Sequence, residues 1–70
     1  MSDIKFTLAS VRTQLRTIGI VITRTDYGEY RVNYRRGGEG TAYYTGDLED
    51  AFGTGKMMAL WEADRAGRIA

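Results

Sequence analysis

Leu8, Val11, Leu15 and Ile18 recur at intervals of three, four and three residues, the repeat that draws one apolar stripe along an α-helix. The spacing predicts a helix over 8–18. Thr7 supplies an N-cap oxygen for it, and Phe6 is placed to staple onto Val11 across the first turn. Gly19 then ends it, because glycine takes the left-handed backbone of a helix stop without strain.

From Ile20 the period drops to two. The runs "IVITRT", "EYRVNYR" and "GTAYYT" are rich in β-branched and aromatic residues and are separated by "DYG" and "RGGE". They predict three strands in hairpin succession. Matching faces selects the first loop. A two-residue turn at Tyr27-Gly28 would set Ile22 opposite polar Asn33. A three-residue loop, Asp26-Tyr27-Gly28, instead pairs Ile22 with Val32 and Ile20 with Tyr34, and puts Gly28 at the left-handed bulge position. The second hairpin, around Gly37-Gly38, is not fixed this way, since Tyr43 and Tyr44 suit either face.

The last element opens at "GDLEDAF". Asp47 is its predicted cap, and Glu49 and Asp50 sit where the positive end of a helix dipole favours carboxylates. This acidic cluster therefore reads as helix chemistry rather than as a catalytic pair. In "AFGTGKMMALW" a phosphate-binding loop fails on two positions: Asp50 stands where its first glycine belongs and Met57 where its hydroxyl belongs. A continuous helix fits better. It gathers Leu48, Ala51, Phe52, Gly55, Ala59, Ala63 and Ala66 on one face with Met58 at the margin, and turns Met57, Leu60 and Trp61 to the other side. The competing reading breaks the chain at Gly53-Thr54-Gly55 and folds those three large residues into the core.

The chain of 70 residues has a net charge of +1 and contains neither cysteine nor histidine. The 1–70 span forms one α+β domain, α-β-β-β-α, with two helices on one face of a three-stranded antiparallel sheet, a loose start over 1–6 and a frayed tail over 67–70. A core of this size supplies only about 3–5 kcal/mol unless something staples it, and without cysteine there is no disulfide to do so. No thiolate or imidazole is available as nucleophile, general base or metal ligand. Ser2 and Ser10 would be the only serine nucleophiles; Ser2 falls in the expected loose start and Ser10 in the first turn of a helix. The expectation is a cytoplasmic, non-catalytic protein with no catalytic residues, metal, cofactor or small-molecule substrate. No apolar run approaches the roughly 20 residues of a membrane span.

Two surfaces are candidates for binding. Met57, Leu60 and Trp61 form an apolar patch, and such patches mark interaction sites. On the sheet face away from the helices, Arg31, Asn33 and Arg35 stand with one tyrosine of the adjacent pair, Tyr43 being the candidate although Tyr44 suits the position equally. Arginines beside an aromatic ring can hold a nucleic-acid backbone and stack a base.

The order helix, three strands, helix resembles the double-stranded RNA-binding domain across essentially the whole chain, which would imply RNA binding. That family grips phosphates with lysines at the start of its last helix. The matching positions here are Asp47, Glu49 and Asp50, which repel phosphate, and Lys56 is a lone cation more than two turns further on. The stretch "EYRVNYRRGGEGTAYYTGDLEDAFGTG" also resembles a scattered group of small bacterial, phage and plasmid proteins. That group brings no known mechanism with it; small phage proteins of this size often act by plugging a host protein, defence complexes included, and the resemblance permits that reading. Taken together, the expectation is a protein-binding module, self-associating or docking on a partner such as a host protein, with nucleic-acid binding by the open sheet face as the alternative.

Overall fold

The computed structural model describes residues 6–69, with side chains over 6–64. Of the expected loose start, 1–5, Ser2 included, lie outside the described residues, as does Ala70 of the expected frayed tail. The elements follow the predicted order: α1 (Leu8–Arg16), β1 (Ile20–Arg24), β2 (Tyr30–Tyr34), a 3-10 turn (Glu39–Thr41), β3 (Tyr43–Thr45) and α2 (Leu48–Ile69).

Thr7 caps α1 as expected, and Ser10 makes the exchange reciprocal. The Ser10 amide donates to Thr7 Oγ1 and the Thr7 amide to Ser10 Oγ, both at 3.2 Å. Phe6 finds its aromatic partner in Phe52 of α2, with ring centroids 5.8 Å apart. The helix ends two residues earlier than the stripe predicted. The amides of Thr17, Ile18 and Gly19 each donate to the carbonyl three residues back, which tightens the last turn and swings Ile18 off the core face. Ile18 is 44% exposed. Gly19 (φ +81°) then redirects the chain into β1.

The sheet has order β1-β2-β3, and its first register is the one face matching selects: Ile20 opposite Tyr34 and Ile22 opposite Val32. Gly28 occupies the left-handed position of the loop (φ +81°), and the Thr25 amide closes it by donating to Glu29 O at 2.8 Å. In the second hairpin Val32 pairs with Tyr43 and Arg31 with Tyr44. Tyr43 therefore shares the helix-covered side with Val32, and Tyr44 lies on the open side.

Asp47 caps α2 by accepting the Glu49 amide at 3.1 Å. The helix then runs 22 residues without a break, so the kinked reading is wrong. It is about 33 Å long at 1.5 Å per residue, while a five-residue strand spans only about 17 Å. The helix outruns the sheet. This moves the contact face from its predicted place: Met58 is buried in the core rather than marginal, Ala59 is partly buried, and Ala63 is already exposed. The side chain of Ala66 lies outside the described residues.

The core is Val11, Leu15, Ile20, Ile22, Val32, Ala51 and Met58. Gly55 is buried against it. A methyl group there would sit 2.9 and 3.0 Å from the two δ-carbons of Leu15 and 3.3 Å from Ile20 Cγ2. Gly53, two residues earlier, has nothing within 4 Å of the same position. The two glycines therefore respond oppositely to alanine. Gly53→Ala gains about 1 kcal/mol of helix propensity, worth roughly 4–8 °C in melting temperature. Gly55→Ala makes the same gain but meets about 1–3 kcal/mol of overpacking, and its melting temperature stays level or falls. Parallel thermal melts check both, and a drop for Gly53→Ala would contradict an unbroken helix.

Candidate partner-binding surface

Beyond Ala59 the described part of α2 leaves the body of the domain: Leu60 to Asp64 are all exposed. On its outer side Met57 is 47%, Leu60 63% and Trp61 58% exposed. Their i, i+3, i+4 spacing places them side by side. Lys56 lies over the neighbouring Phe52 ring, its Nζ 4.4 Å from the centroid. The three residues picked from the sequence are thus brought together as one exposed apolar ridge. The inner side of the same helix segment, with Ala59 and Ala63, walls an open groove of about 720 Å³ whose other sides are Ile18, Tyr34 and the loop bearing Arg35 and Arg36. The Tyr34 hydroxyl donates to the Met58 carbonyl at 3.0 Å, tying β2 to the helix where the two part company.

The open sheet face does not assemble the set expected there. Tyr43 is on the opposite side, with its hydroxyl donating to Asp50 Oδ2 of α2 at 2.6 Å. Asn33 is 2% exposed, and its amide is used up internally. Nδ2 donates to Gly38 O at 2.9 Å, while Oδ1 accepts from the Tyr34 amide and from Thr41 Oγ1, both at 2.7 Å. It is a clasp for the loop between β2 and β3, and Gly37 is so close that a Cβ would fall 2.3 Å from Asn33 Oδ1. Arg35 stands past the end of β2 at the groove. That leaves Arg31, whose Nη2 pairs with Glu39 at 3.1 Å and whose Nε donates to the Tyr44 hydroxyl at 3.2 Å. Tyr44 in turn donates to Glu39. The cation already has a carboxylate partner within the chain. A phenol and a guanidinium both donating to Glu39 hold its pKa below the usual carboxylate range.

Sequence reasoning missed this Arg31–Tyr44–Glu39 triad and the Tyr43–Asp50 link, because both depend on which tyrosine faces which side. Among the described residues no group of acidic side chains could hold a metal ion, and no helix is long and apolar enough to cross a membrane. Ser10 is engaged in the α1 cap, its hydroxyl donating to Thr7 O at 3.0 Å. Comparison with protein families, with curated proteins and with solved structures finds no match for this chain.

The Tyr43–Asp50 bond has a pH signature. Accepting from Tyr43 lowers the Asp50 pKa, and donating to Asp50 raises that of Tyr43. A carboxyl with a lowered folded pKa contributes stability above its unfolded value, and loses it as pH falls through the folded one. A phenol with a raised folded pKa contributes below its unfolded value, and loses it as pH rises through the folded one. Tyr43→Phe keeps the ring and removes the bond. Its deficit in melting temperature should be fullest between about pH 4 and pH 10, the ordinary values of the two groups, and shrink beyond both ends. A deficit independent of pH would mean the bond contributes nothing.

Proposed function

We propose that the protein is a non-catalytic binding module that associates with a second copy of itself through the outer ridge of α2. The single observation that carries this is the exposure of Met57, Leu60 and Trp61 side by side on a continuous helix. Large apolar side chains grouped in this way mark contact surfaces, and tryptophan is among the residues most enriched at binding hot spots. Methionine beside it adapts its shape to what it meets.

Two considerations favour a second copy as the occupant. A ridge of residues spaced by three and four is the form in which one helix packs against another, and the same ridge on a twofold-related copy makes a self-complementary contact. A domain of this size also has little core of its own, so burying the ridge adds stability the monomer lacks. In the alternative reading the ridge docks on a foreign protein of the host. No observation favours the nucleic-acid reading of the open sheet face, where Arg31 is already paired, Asn33 is enclosed and Tyr43 is turned away.

Light scattering on the intact protein, together with quenching of Trp61 fluorescence, tests the proposal. A dimer is expected, with the tryptophan shielded and becoming accessible on dilution. Trp61→Ala should weaken association by more than about 2 kcal/mol, or roughly thirtyfold, while the monomer melts much as before because Trp61 is exposed in it. A parent that stays monomeric at high concentration with a freely quenched tryptophan would overturn self-association and leave the foreign partner.

A further inference from the structure

The free edge of β1 is a second exposed feature, independent of the α2 ridge. β1 is an outer strand, paired only with β2. Hydrogen-bonded positions in an antiparallel pair alternate, and two bonds fix the phase. The Arg35 amide donates to Gly19 O at 3.1 Å, and the Thr25 amide donates to Glu29 O at 2.8 Å. Val21 and Thr23 lie in phase with these and direct their backbone groups to β2. Ile20, Ile22 and Arg24 therefore direct their N–H and C=O groups outward. β3, at the other edge, is only three residues long.

Three guanidinium groups line this outer edge. Arg12 and Arg16 of α1 overhang a groove of about 290 Å³ along Ile20, Val21, Ile22 and Thr23. Arg12 Nε reaches the outward carbonyl of Ile22 at 3.5 Å, the outer limit of a hydrogen bond. Arg24 lies over the Tyr30 ring, 5.0 Å from its centroid. Among the described residues none of the three meets a carboxylate, whereas Arg31 on the open face does. All three belong to the helix-covered side of the edge, and Val21 and Thr23 to the open side.

We propose that this edge accepts an extended acidic segment of another protein as a fourth strand. Its backbone completes the outward groups of Ile20, Ile22 and Arg24. Its carboxylates, at alternate positions, face Arg12, Arg16 and Arg24, and the intervening β-branched or apolar residues extend the row of Val21 and Thr23. This is strand addition, with main-chain bonds giving affinity and alternate side chains giving specificity. A second copy is a poor occupant, because a twofold pairing of β1 centred on Ile22 would bring the two Arg12 guanidinium groups together. A nucleic-acid backbone is a poor one too, since it offers no alternating donors and acceptors to a strand edge.

The test uses the isotopically labelled intact chain and a blocked peptide of about eight residues alternating valine and glutamate. Amide exchange at Ile20, Ile22 and Arg24 should slow about tenfold or more as the peptide saturates, while Val21 and Thr23, already bonded to β2, should not change. Replacing both arginines of α1 (Arg12→Ser with Arg16→Ser) should weaken the peptide roughly twofold to thirtyfold, the range for two exposed ion pairs. Three results would overturn the proposal: no slowing at the three outward amides at millimolar peptide, equal binding of a valine–lysine peptide, or a thymidine oligonucleotide perturbing the same amides more than the peptide does. The exchange arm uses the unaltered protein and stands whether or not the double variant folds.

Discussion

Helix α2 lies close to Leu15 and Ile20 because residue 55 has no side chain, and the rest of the domain is arranged around that approach. The δ-carbons of Leu15 occupy the space a β-carbon would need, so α1, β1 and α2 meet at one point with no slack between them. Protein interiors are packed densely enough that such a contact fixes the relative height of the elements. With α2 seated at Gly55, Ala51 and Met58 fall into the core one turn to either side. Met57, Leu60 and Trp61 are then held outward by helical geometry alone. The exposed ridge is the far side of this close helix contact.

Polar residues divide between fastening and display. Asn33 with Thr41 and Gly38 closes the β2–β3 connection, and Tyr43 with Asp50 pins β3 to the start of α2. Tyr44 joins Arg31 to Glu39 across the open face. Each of these groups has its partners within the chain. The arginines along β1 have a carbonyl and a tyrosine ring for company, but among the described residues they meet no carboxylate. A net charge of +1 therefore conceals an uneven surface: carboxylates at the α2 start and the β2–β3 loop, and along the β1 edge guanidinium groups that meet no carboxylate among the described residues.

Much of this was legible in the sequence where two signals had to agree. The first hairpin register follows from requiring Ile22 to face Val32 and Gly28 to take the positive φ, and both hold. Thr7 and Asp47 cap because a side-chain oxygen ahead of an apolar repeat has free amides to accept from. Adjacent identical residues carry no such cross-check, so Tyr43 and Tyr44 could not be placed by alternation. Asn33 was misplaced for a different reason. Strand alternation puts it on the open face, and only the returning loop, which no periodicity describes, encloses it. Ile18 and Met58 were misjudged because a stripe drawn at a constant angle ignores a tightened last turn and a helix longer than the sheet beneath it.

That difference in length has a kinetic side. An isolated helix of a dozen residues is marginal in water, because its first turn must be nucleated at a statistical weight of about 10⁻³. The outer turns of α2 are spared that step, since they elongate from a first half already clamped on Leu15 and Ile20. Each added residue then gains a backbone bond without a new nucleus. On the proposed reading, a partner arriving at Leu60 and Trp61 meets a formed helix rather than a segment it must order. Less of its contact free energy is consumed in folding its target, and its rate of capture is governed by encounter rather than by a coil-to-helix transition.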